Sequence, residues 1–186
     1  PDTTAAAIYY MIHSTFAGAL LFLVVDLVRA QRGEARGAIT PAPRMAQHGL
    51  IATLFFASAI ASAGMPPLSG FIGKLLILDA TRDMPEVWLI WSVILVTSLI
   101  GILGFAQAGS TVFWKTETPE APAEDAATAP VAAPRPPALP LVASFTLLAG
   151  IIALSVFAGP VTGFVEATAD QIHTPSGYID AVLGQR

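Results

Sequence analysis

Residues 63–78 read "AGMPPLSGFIGKLLIL", a double proline followed by a lone lysine inside an otherwise apolar run. Proline lacks the N–H that a helix needs, and its ring clashes with the preceding turn. Pro66 and Pro67 therefore predict a helix break, with Gly64 and Gly70 relieving the backbone on either side. As one straight helix the run 50–80 would extend about 46 Å, whereas the hydrocarbon core of a bilayer is about 30 Å thick. The segment must tilt, protrude or break, and the prolines choose the break.

That comparison with a bilayer rests on composition. The chain has 186 residues, of which 54% are hydrophobic and 12% charged, with a mean hydropathy of +0.68. Soluble domains average about 25% charged residues, so this chain lacks the polar surface to be wetted all round. A net charge of −4, spread thinly, gives nucleic acid nothing to bind. The absence of cysteine excludes disulfides and thiolate metal sites. The chain opens on Pro1 with no leader pattern before its first apolar run, and is read as an internal or C-terminal piece of a longer protein.

Working outward from the break, apolar runs of spanning length lie at 5–28, 49–80, 87–109 and 139–159. None alternates with period two, which disfavours a β-barrel. The fold class is an all-α polytopic membrane protein with four transmembrane helices, the second broken at Pro66-Pro67. The loop 29–48 carries Arg29, Arg32, Arg36 and Arg44 against Glu34, whereas Asp79, Asp83 and Glu86 face only Arg82 after the second run. The positive-inside rule places loop 29–48 in the cytoplasm and the C-terminus outside. Phe113 and Trp114 then become inner-face anchors, and Trp88 and Trp91 outer-face ones. Residues 116–138 are rich in alanine and proline and are read as a flexible cytoplasmic linker. The tail 160–186 has helical apolar spacing and is expected to form amphipathic outer-face elements on the membrane or a neighbouring subunit, with a short helix from Pro175 to Gly184.

Lys74 follows the break by about two turns. An unpaired lysine in hydrocarbon costs at least ~3 kcal/mol, and ionisable residues at such depth are functional candidates by default. An amine there could gain and lose a proton during turnover. The competing reading has it snorkel towards Asp79, although Gly70 and Gly73 beside it favour a packed interior. His13, midway along the first run, could pass protons between its two ring nitrogens, or simply hydrogen-bond across a helix interface. Tyr9, Ser14 and Thr15 nearby are hydroxyls for a relay or for packing. Asp26 and Arg29, three residues apart, suggest an interfacial salt pair. Ser58 and Ser62, and Thr97, Ser98 and Gly101, read as close-packing small residues. His48 and His173 lack metal-ligand partners, and no nucleophile, phosphate-loop or metal motif occurs.

"AAIYYMIHSTFAGALLFLVVDLV" together with "AGMPPLSGFIGKLLIL" resembles the antiporter-like subunits shared by Mrp-type multisubunit Na⁺/H⁺ antiporters and respiratory complex I, the D-type Mrp subunits most of all. The elements that carry the likeness are Pro66 to Lys74, Phe113-Trp114 and Pro175 to Leu183. The resemblance implies a fourteen-helix subunit of a bacterial inner membrane, of which this chain would hold helices eleven to fourteen. It implies that Lys74 ends a central polar axis and that His13 joins its hydrated relay. Ala17 and Gly18 stand where some complex I relatives carry a further ionisable residue. The implied partners are other membrane subunits, the N-terminal remainder of the same subunit and the bilayer. The transported ions would be H⁺ and Na⁺, with no redox cofactor in this chain and no enzymatic chemistry. The alternatives are a redox-coupled proton-pumping subunit of complex I or a membrane hydrogenase, and a purely structural scaffold.

Overall fold

The computed structural model describes residues 1–45, 47–115 and 138–184. Nearly all of the linker expected at 116–138 lies outside the described residues. The described chain is all-helical: α1 (Asp2–Gln31), α2 (His48–Ala63), α3 (Ser69–Ala80), α4 (Val87–Gly109), α5 (Ala138–Val156), α6 (Ala158–His173) and α7 (Ser176–Leu183). Three stretches are long and apolar enough to cross a membrane, namely Asp2–Gln31, Val87–Trp114 and Ala138–Val156. The region predicted as a broken span is divided between α2, of 16 residues, and α3, of 12. Each half is shorter than the roughly 20 residues a crossing needs.

α1 is the central post. Its buried positions Ala5, Tyr9, His13, Ala17, Leu20, Val24 and Leu27 recur three or four residues apart and so share one face. That face meets α2, α3, α5 and α6. The larger core gathers Leu20, Val24 and Leu27 with Ile51, Leu54 and Phe55 of α2 and Ile151 of α5. A smaller one sets Ala5 and Tyr9 against Val165 and Ala169 of α6, with Ile72 and Leu76 of α3 alongside. The face that α6 buries is therefore covered by the chain's own helices, while Phe164 and Ile172 on α6 stay exposed. His173 on α6 lies 2.9 Å from the Thr4 hydroxyl of α1.

α4 stands apart, exposing Leu89, Val93, Val96, Leu99, Ile100 and Leu103. It touches α2 at its C-terminal end, where a Cβ on Gly109 would come within 2.6 Å of Phe56. Beyond Gly109 the chain widens into a π-turn, Ser110–Trp114. This turn corrects one expectation. Trp114 is exposed as an anchor would be, but Phe113 is buried against Phe55, Phe56 and His48, because the wider turn rotates it inward.

A second correction concerns Asp26 and Arg29, which make no ion pair. Among the described residues the ion pair is Arg82–Asp79, at 3.6 Å. The basic loop is organised instead by Arg32. Its buried guanidinium donates to the Arg36 carbonyl at 3.3 Å and to the carbonyls of Ala38 and Thr40.

Candidate functional site

The break begins before the prolines. Gly64 adopts φ +71°, a left-handed conformation that glycine takes without penalty. Its N–H bonds the Ala61 carbonyl, and the Met65 N–H bonds the Ile60 carbonyl, each at 3.1 Å. These two bonds form a Schellman end to α2. Pro66 and Pro67, joined by a cis peptide, lie between this end and α3. Gly70, expected to relieve the backbone at the break, is instead helical within α3. Its small size serves packing: a Cβ there would press into the Ala61 carbonyl and lie 2.7 Å from His13 Nε2. Gly73 one turn on is similarly covered, by Tyr9 and Tyr10.

The end of a helix leaves carbonyls without intrahelical partners and carries a partial negative charge. Two side chains from different helices converge on this one. Lys74 Nζ donates to the Ala63 carbonyl at 2.7 Å and to Ser98 Oγ of α4 at 2.7 Å. Ser98 in turn donates to the Ile94 carbonyl at 2.6 Å. The aliphatic stem lies over Gly64, where a Cβ would come within 2.7 Å of Lys74 Cδ. The lysine thus turns back to the break and does not snorkel to Asp79, which pairs with Arg82. A cavity of about 240 Å³ opens beside the amine, lined among others by Tyr10, Ser62, Thr97, Ser98 and Gly101.

The buried His13 ring is held from both sides. Nδ1 lies 2.9 Å from Ser69 Oγ at the start of α3, and Nε2 faces the Ala61 carbonyl across Gly70. A neutral ring can accept from Ser69 through Nδ1 while offering Nε2–H to Ala61; a protonated ring can donate from both nitrogens. Lys74 meets neutral acceptors, a carbonyl and a hydroxyl. Among the described residues no carboxylate pairs with it there. Among the described residues no cluster of His, Asp or Glu could hold a metal ion.

The structure separates the remaining hydroxyls from this pair. Tyr9 is fully buried and donates to the Leu154 carbonyl of α5 at 3.0 Å, a packing bond. Ser14 and Thr15 are exposed and return their hydroxyls to the Met11 carbonyl. Sequence reasoning missed Ser69 and treated Ser98 as packing alone. The signal available was their hydroxyl chemistry within runs otherwise almost wholly apolar.

Residues 2–101 match the family described as NADH:quinone oxidoreductase/Mrp antiporter, TM. The chain is 26% identical to the D subunit of a probable K(+)/H(+) antiporter from Rhizobium meliloti, aligned over 96% of this chain and 36% of the relative. It is 32% identical to the D subunit of the Na(+)/H(+) antiporter from Alkalihalophilus pseudofirmus, over 96% of this chain and 34% of the relative. It is 31% identical to the protein of the same name from Bacillus subtilis, over 98% and 35% respectively. The chain thus spans about a third of the length of the curated relatives it matches. With residues 2–101 matched, more than half of its length, the chain belongs to the NADH:quinone oxidoreductase/Mrp antiporter transmembrane family.

Proposed function

We propose that this chain is the part of a multisubunit monovalent cation/H⁺ antiporter subunit that carries protons along its outer half-channel. The observation that carries the reading is the placement of Lys74 and His13 on neighbouring carbonyls at the end of α2. Lys74 alternates between charged and neutral forms, and His13 with ordered water links it to lysines in the remainder of the subunit. Proton entry drives a monovalent cation outward elsewhere in the assembly. The relatives are named for both Na⁺ and K⁺, and Na⁺ is the ion we favour. In this reading α2 and α3 together make a fourth crossing, the parent subunit has fourteen helices, loop 29–48 is cytoplasmic and the C-terminus lies outside a bacterial inner membrane.

The test is cation-driven proton movement in everted vesicles carrying the full complex, with assembly measured in parallel. Lys74→Ala should abolish exchange while the complex still assembles. Retained exchange would reduce the lysine to a structural cap and overturn the mechanism. A redox-coupled pump is the second reading, favoured by the family's breadth; it requires flavin and iron–sulfur subunits to co-purify with the complex.

A further inference from the structure

His13 is sealed on both sides by this chain's own helices. The ring is 2% exposed and Ser69 is 0% exposed, where α1 meets α2 and α3. Further chain packed around these helices would deepen that burial, not create it. The two ring nitrogens meet different chemistry. Nε2 faces the Ala61 carbonyl across Gly70, and the ring bonds that backbone group. A carbonyl oxygen only accepts, so Nε2 carries a hydrogen. The same oxygen takes the Gly64 N–H at 3.1 Å, and its two lone pairs serve both donors. It stands at the C-terminus of α2, where the partial negative charge favours an N–H over a bare nitrogen. A backbone carbonyl passes no proton on, and Nε2 is therefore closed to exchange.

Nδ1 lies 2.9 Å from Ser69 Oγ. Other buried serines in the chain return their hydroxyls to their own helix: Ser58 donates to the Phe55 carbonyl and Ser144 to the Pro140 carbonyl. Ser69 opens α3, and the residues three and four before it, Pro66 and Met65, lie in the break. It has no helical carbonyl behind it. Among the described residues its hydroxyl has no bond other than that to His13. The hydroxyl therefore donates to Nδ1, and the ring held between the two contacts is neutral.

We propose that His13 exchanges protons through Nδ1 alone, and that Ser69 is the positioning residue that presents this nitrogen. The proposal rests on the proton-carrying role given to His13 above. A protonated water or a lysine ammonium gives up its proton as the Nδ1–H bond forms, and the Ser69 hydroxyl turns from donor to acceptor. Release breaks that same bond, hands the proton to water or a neutral amine, and returns the hydroxyl to donating. Nε2–H stays intact throughout, and no electrons change hands. The sequence alone allowed passage from one ring nitrogen to the other; the Ala61 contact removes that route. The ring works as a one-sided proton store.

The test is solid-state nitrogen NMR of the full complex, labelled with heavy nitrogen at histidine and held at neutral pH. The His13 signals are identified by their loss in His13→Gln. The wild-type ring should be neutral, with its hydrogen on Nε2 and an Nδ1 signal typical of a hydrogen-bond acceptor. Ser69→Ala should move the Nδ1 signal to the unbonded position. It should also lower cation-driven exchange about tenfold, the scale of one buried hydrogen bond lost. Ser69→Thr, which keeps the hydroxyl, should restore both. A hydrogen on Nδ1 in the wild type overturns the proposal without any Ser69 variant, as does an unchanged Nδ1 signal in Ser69→Ala. Lys74→Ala measured alongside separates the two levels. Full exchange in Ser69→Ala with none in Lys74→Ala overturns the role of Ser69 alone, whereas exchange retained in Lys74→Ala overturns the reading on which it rests.

Discussion

Lys74 bonds the Ala63 carbonyl, which lies earlier in the chain and on the far side of the helix break, at 2.7 Å. The break and the lysine are therefore one device: the interrupted helix exposes the acceptor, and the residue beyond the interruption occupies it. A continuous helix would have used the Ala63 carbonyl internally and left the ammonium without a backbone partner.

Gly64 is the position where this device is most exposed to damage. A left-handed residue other than glycine costs about 1–2 kcal/mol, and asparagine bears that conformation best. Any Cβ there also collides with the Lys74 stem at 2.7 Å. We expect Gly64→Asn to assemble nearly normally yet lose most cation-driven proton movement. Gly64→Ala should lose thermal stability of the complex as well. Normal exchange in Gly64→Asn would show that the lysine's position is not set by this contact.

Gly70 and Gly104 should behave oppositely although both are helical. A methyl on Gly70 enters the space of the Ala61 carbonyl and the His13 ring, an overpacking that costs about 1–3 kcal/mol. Gly104 has open space above it, and alanine in a helix interior is favoured over glycine by about 0.5–1 kcal/mol. Thermal unfolding of the assembled complex should fall for Gly70→Ala and hold or rise for Gly104→Ala.

Ser98 supplies the only side-chain acceptor of Lys74 among the described residues. Hydrogen bonds to charged groups are worth about 1.5–3 kcal/mol. Ser98→Ala should therefore reduce exchange about tenfold or more, and Ser98→Thr, which keeps the hydroxyl, should restore most of it. Equal loss in both variants would point to helix packing, as the small-residue reading of α4 has it.

Arg32 anchors the loop through a planar fork reaching three carbonyls, a geometry that lysine cannot copy. We expect Arg32→Lys to increase proteolysis within residues 33–45 in inside-out vesicles, with destabilisation of about 1–3 kcal/mol from the orphaned acceptors. A cleavage pattern like that of the wild type would show that the loop holds itself.

The sequence was most readable where chemistry is local. Apolar runs announce helices in a membrane, and paired prolines announce an interruption, because both effects act within a few residues. His13 and Lys74 stood out because charge and polarity are rare within such apolar runs. What escaped was set by contacts across the chain. The direction of the lysine head depends on Ser98, which comes from another helix, and Ser69 matters only because α3 brings it to His13. Phe113 was read as an anchor from its neighbour Trp114, but a π-turn, which no local pattern signals, rotates it inward. Asp26 and Arg29 had the spacing of a salt pair, yet the loop folds so that both face a cavity.

The side chains of Lys74 and His13 are spaced by a ruler made of backbone. Ala61 and Ala63 belong to one terminal turn, so the distance between their oxygens is set by covalent geometry and by the Schellman bonds at Gly64 and Met65. Thermal breathing of the surrounding helices can slide α1 or α3 against that edge, but it does not stretch the edge itself. A tilt of that single turn would move both docking points in the same stroke, tying the histidine and the lysine to a common mechanical event.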